Sequence, residues 1–121
     1  MSIPSRILSA GNSPLSTISI AGDATTGLVA VGSTQATALQ LSAIFNTITT
    51  SAASTGVILQ PTEAGAWVVI YNVSGQTISI YPAVGSSINA LSANAAFTVA
   101  TAKTVALYAM SATQWVTLLT A

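Results

Sequence analysis

The chain has 121 residues and a mass of 12.1 kDa, and its only charged side chains are Arg6, Asp23, Glu63 and Lys103, giving a formal net charge of zero. It has no histidine and no cysteine, so the usual general acid–base groups, nucleophile–base pairs, disulfides and thiolate or imidazole metal sites lack their residues. Its two cations could neutralise about two phosphates, against the six to ten of a typical nucleic-acid binder.

One domain is expected from this length, large enough to bury roughly two-thirds of its unfolded surface. Hydrophobic residues reach 51% and mean hydropathy is +0.73, yet aromatics are only 6%, because much of the apolar count is Ala set among Ser and Thr. No apolar run approaches the ~18–20 residues of a membrane-spanning helix. Gly11, Asn12, Ser13 and Pro14 interrupt the place where a signal-peptide core would run, so a cytoplasmically made protein without a targeting segment is expected. The uncharged stretches 24–62 and 64–102 have equal lengths, but the flanks of Asp23, Glu63 and Lys103 do not resemble one another, and no repeat is read there. A chain so poor in charge lacks the mutual repulsion that keeps monomers apart, which points to an ordered assembly.

In chain order, residues 1–8 come first, holding the only arginine and a proline ahead of any regular pattern. Residues 1–14 read as an extended arm lying across a partner, with Ser2, Ile3, Pro4, Arg6 and Ile7 as the candidate contacts, and residues 15–121 as a single β-rich domain. Short runs rich in β-branched and aromatic residues then follow at 17–20 (TISI), 28–31 (LVAV), 57–59 (VIL), 67–71 (WVVIY), 77–81 (TISIY), 97–100 (FTVA), 104–110 (TVALYAM) and 115–119 (WVTLL). Between the second and third of these, Ser33 is placed to cap a short helix near 34–44, where Ala38, Leu41 and Phe45 fall at helical spacing without Gly or Pro. Extended structure resumes at 48–52.

Residues 72–75 (NVSG) read as a hairpin loop with Gly75 free to take positive φ, and 111–113 as another. The alternation at 77–81 puts Ile78 and Ile80 on one face. Residues 67–71 are apolar on both faces, as in a central strand or one covered by a neighbouring subunit. Eight or nine short strands in one small domain predict an all-β fold of the β-sandwich, jelly-roll or related barrel type, with the one short helix. Lys, Glu and Pro, which usually guard sheet edges, are nearly absent, so edges should be closed or paired with another chain.

The remaining chemistry is thin. Asp23 and Glu63 have no supporting groups nearby that would make them a glycosidase pair, and read as solvated carboxylates. No D-x-D-x-D-G calcium spacing occurs, and Gly27 and Gly32 belong to no phosphate-binding pattern. Lys103 reads as a turn lysine in solvent. Trp67, Tyr71, Tyr81, Tyr108 and Trp115 sit among aliphatic neighbours and are expected in the core or a subunit interface, with both tryptophans buried.

From 34 to 119 the chain carries Gln35 and Ala38, then 46–50 (NTITT), 55–59 (TGVIL), Pro61 and Gly65, 69–72 (VIYN), 78–82 (ISIYP), Gly85, Ile88 and Asn89, and finally Phe97, Lys103 and Trp115. In this order they resemble a pattern in small accessory virion proteins of tailed bacteriophages. The resemblance implies a capsid decoration (cement) protein of the virion, a homotrimer or dimer that bridges subunits of the major capsid protein, with no catalytic residues and no cofactor. The near alternative is a head- or tail-fibre module that binds a host surface glycan, which would need Trp67, Tyr81 or Trp115 exposed in a groove.

Overall fold

The computed structural model describes Ala10, Gly11, Ser13 and residues 23–120. The strand expected at 17–20, most of the arm assigned to 1–14, and its candidate contacts Ser2, Ile3, Pro4, Arg6 and Ile7 lie outside the described residues. Among the described residues ten strands follow one another: β1 (Ala24–Val29), β2 (Leu39–Gln40), β3 (Phe45–Thr50), β4 (Gly56–Ile58), β5 (Trp67–Asn72), β6 (Ile78–Tyr81), β7 (Ser87–Ile88), β8 (Phe97–Val99), β9 (Lys103–Ala109) and β10 (Gln114–Leu119). The protein is all-β, with no helix among the described residues.

Strands β1 to β9 alternate between two sheets, and β10 stays in the larger beside β9. The larger has the order β1-β3-β5-β9-β10-β7 and the smaller β2-β4-β6-β8. β1, β3 and β5 run parallel, as do β2, β4 and β6, so the first six strands form three stacked rungs of a two-sided coil. Phe45 pairs with Ala24, 21 residues before it, and with Val69, 24 residues after it, which sets the length of a rung. The stack ends when the chain reverses: β9 pairs antiparallel with β5, β10 antiparallel with β9, and β8 antiparallel with β6. Sandwiches and jelly rolls are built from antiparallel ladders, whereas most pairings here are parallel and the fold is solenoid-like.

The core lies between the two sheets because each strand turns alternate residues inward. Ile48, Ile70, Val105, Leu107 and Trp115 from the larger sheet meet Val57, Ile78, Ile80 and Val99 from the smaller, all at most 1% exposed. The alternation read at 77–81 holds, with Ile78 and Ile80 inward. Trp115 ends in a polar partner: its indole N–H donates to Thr62 Oγ1 at 3.0 Å, and that hydroxyl is 2.7 Å from Ser86 Oγ.

The helix expected near 34–44 is instead a turn followed by β2. Thr34 and Thr37 close the turn on themselves: Thr37 Oγ1 accepts the Thr34 N–H at 3.2 Å and lies 2.8 Å from Thr34 Oγ1. Such local side-chain bonds compete with a helix for the same backbone groups. Leu39 and Leu41 then pack toward the core with Gln40 between them, a period of two that the helical reading of Ala38, Leu41 and Phe45 overlooked.

Residues 72–75 do not make a hairpin either. They carry the chain from β5 in one sheet to β6 in the other, an arch whose Gly75 does take positive φ, at 88°. The loop at 111–113 does join an antiparallel pair, β9 and β10. Edge strands are protected by form more than by charge. β2 and β7 have two residues each and β8 three, while the ladder of β1 is irregular on both sides of Leu28, next to Gly27 with φ +71°. Short and bulged edges make poor templates for a further strand.

Candidate functional site: the outer face of the larger sheet

Strand parity decides which side chains leave the core. On β5, Val68, Ile70 and Asn72 point inward, so Trp67, Val69 and Tyr71 stand on the outer face. The same alternation turns Thr104, Ala106 and Tyr108 of β9 outward, with Val116 and Leu118 opposite them on β10.

Register then assembles these into rows across the strands. Phe45, Val69, Ala106 and Leu118 are consecutive partners across β3, β5, β9 and β10. On one side of that row stand Trp67, Tyr108 and Val116, and on the other Thr47, Tyr71 and Thr104. Phe45 and Trp67 meet edge to face with centroids 5.2 Å apart and an interplanar angle of 87°, an arrangement aromatic quadrupoles favour.

The relief has a definite form. Val69 and Ala106 are low and half-buried, forming a trough between the Trp67–Tyr108 ridge and Tyr71. The aromatic side chains are 37% to 43% exposed and Leu118 is 67% exposed. No charged residue occupies any of these positions. Isolated exposed apolar residues are ordinary on protein surfaces, but a contiguous apolar patch of several hundred Å² marks an interaction site.

Below one end of this face, a cleft of about 230 Å³ is lined by Pro61, Glu63, Ala66, Trp67 and Trp115, among others. It is smaller than the ~300–1,000 Å³ of drug-sized ligand sites.

The other residues singled out from sequence have structural settings. Asp23 is half-buried and its Oδ1 accepts the Ile44 N–H at 3.0 Å, while its carbonyl oxygen accepts the Phe45 N–H at 2.9 Å. It ties the start of β1 to the start of β3 and is not freely solvated. Glu63 is exposed in the β4–β5 connection, at the rim of the cleft. Lys103 is half-buried as the first residue of β9, not a turn lysine in open solvent. Among the described residues no three His, Cys, Asp or Glu cluster as metal ligands would.

Trp115 is 1% exposed and lies in the core, whereas Trp67 is 40% exposed on the single chain, so of the expected settings, core or subunit interface, the core holds only Trp115. The half-buried Tyr81 spends its hydroxyl on the Ser33 carbonyl, at 3.0 Å. Sequence reading recognised that 67–71 is apolar on both faces, but the rows could not be assembled without the register. Comparison with protein-family models, curated proteins and solved structures found no match.

Proposed function

We propose that the protein is a structural virion component, a decoration (cement) protein that binds the outer surface of a phage head and stabilises it as a homo-oligomer through mainly apolar contacts. The charge-free aromatic face of the larger sheet carries this reading, because it offers association energy in a chain with few groups for chemistry. Each Å² of apolar surface removed from water contributes about 25 cal/mol. Repeated by symmetry over a shell, modest contacts add up, and salt does not screen them as it screens exposed ion pairs. The ordered motifs from Gln35 to Trp115 support the same reading. In it, the major capsid protein is the partner, and Ser2, Ile3, Pro4, Arg6 and Ile7 remain the proposed arm contacts.

Heating mature heads with and without the protein tests the proposal. Decorated heads should rupture at the higher temperature, and equal rupture temperatures would overturn the reading.

A second reading, a fibre-associated module binding a host glycan, draws on one observation. Trp67 is exposed and borders a cleft beside Glu63, which brings together an aromatic surface for a sugar ring and an acceptor for its hydroxyls. Binding on a glycan array that disappears in Trp67→Ala is the expected result of this reading. An array without hits would remove it.

A further inference from the structure

We infer that the outer face of the larger sheet packs against the same face of a second copy of this chain. The inference rests on the reading of that face as an association surface and adds what occupies it. Three observations select a second copy.

Charge is the first. Two-fold pairing brings a surface against itself, so any charge near the axis meets its own kind. Asp23, Glu63 and Lys103 are the charged residues within the described part, and none belongs to the rows through Val69, Trp67 and Tyr71. The face therefore meets its own copy without repulsion, while an acidic or basic partner would find no complementary charge there.

Shape is the second. The Trp67–Tyr108 ridge runs beside the Val69–Ala106 trough, one residue pair along the strands. A two-fold axis between them seats the ridge of each copy in the trough of the other. Phe45 and Leu118 close the trough at its two ends, and packed sheets sit about 10 Å apart with their side chains interdigitated.

Area is the third. Four strands about 4.8 Å apart, read over three rows of outward residues, cover a projected area of roughly 400 Å². The exposed rings and Leu118 standing on it add accessible surface to that projection, against the ~600–1,000 Å² that each partner gives to a standard interface. Edge pairing is the weaker route to a dimer, since β2, β7 and β8 are two or three residues long and the ladder of β1 is irregular around Leu28.

The test is the solution mass of the full chain by sedimentation velocity across a dilution series. The double variant Tyr108→Lys with Leu118→Lys places charge on two exposed positions of the face, and Val84→Lys serves as a control at a site that is 80% exposed and outside the rows. Circular dichroism and thermal melting check that each variant is folded. The wild-type chain and Val84→Lys should sediment as dimers, and the double variant should pair roughly 100-fold more weakly or worse.

A wild-type monomer, a trimer, or a folded double variant that still dimerises would each overturn the inference. Binding of the same preparations to heads lacking the protein separates the two proposals. A monomer that binds and stabilises heads overturns the pairing and leaves the decoration reading standing. A dimer that fails to bind heads does the reverse.

Discussion

Asn72 ties the two sheets together through its side-chain amide. It is fully buried at the end of β5, where its Nδ2 donates to the carbonyls of Gln76 at 2.8 Å and Val99 at 3.0 Å. Its Oδ1 accepts the Ser74 N–H at 3.1 Å and the Ser74 hydroxyl at 2.7 Å. One amide thus closes the arch between the sheets and reaches the end of β8. Truncation would take this partner from the buried Val99 carbonyl and from the part-buried Ser74 N–H, and a buried group left unsatisfied costs about 1–3 kcal/mol. Asn72→Ala should therefore lose about 2–4 kcal/mol of stability in chemical denaturation, while Ser42→Ala, at an exposed position, should change it by well under half as much.

Residue type alone did not distinguish the two tryptophans. Trp67 and Trp115 both open runs of β-branched and aliphatic residues, and only the sheet's placement decides which one enters the core. In 67–71 every position is apolar, so the sequence holds no polar residue to mark the outer side. At 77–81, by contrast, Thr77 and Ser79 mark it, and Ile78 and Ile80 could be assigned to the core at once.

Among the elements, β4 shows how tightly the rungs stack. A Cβ built on Gly56 would lie 2.5 Å from the Ser79 carbonyl oxygen and 3.0 Å from Tyr81 Cε2. Ser79 is its partner on β6, in the next rung, so the missing side chain is what lets the strands approach. The carbonyl is held in the ladder and cannot swing away as a flexible side chain would. Gly56→Ala should destabilise the fold by about 2 kcal/mol or more, measured by urea unfolding. Gly75→Ala meets open space and only the strain of its positive φ, so its cost should be nearer 1 kcal/mol.

The long strands β5, β9 and β10 were legible because β-branched and aromatic residues fill them. β2 and β7 were not, since two residues make no period. Local pattern also could not say that 72–75 crosses between sheets while 111–113 turns back within one, because both are short polar breaks between apolar runs. Thr34 and Thr37 misled in a related way. A helical spacing of Ala38, Leu41 and Phe45 was present, but the threonine hydroxyls gave the backbone a better local alternative.

At the scale of the whole molecule, the scarcity of charge and the breadth of the outer face have one joint consequence for solution behaviour. The pairing of copies proposed for this face would have no ion pair to screen. Its strength should change less than about twofold between low salt and about 1 M sodium chloride, and should rise in sulfate, which favours burial of apolar surface. Equilibrium sedimentation at the two ionic strengths measures this. A dimer that dissociates as salt rises would assign the contact to ionic groups elsewhere.

The hairpin of β9 and β10 also makes the architecture adjustable. β9 seals the last parallel rung by running the other way, and β10 turns back beside it, so the stack needs a single terminator on that side however many coils precede it. A duplicated coil of the same 21 to 24 residues, inserted ahead of β5, would meet parallel neighbours on both sides. Each such insertion would widen the contacting surface by one strand, about 4.8 Å. Grip could then be graded by counting coils, with the seal and its buried tryptophan left as they are.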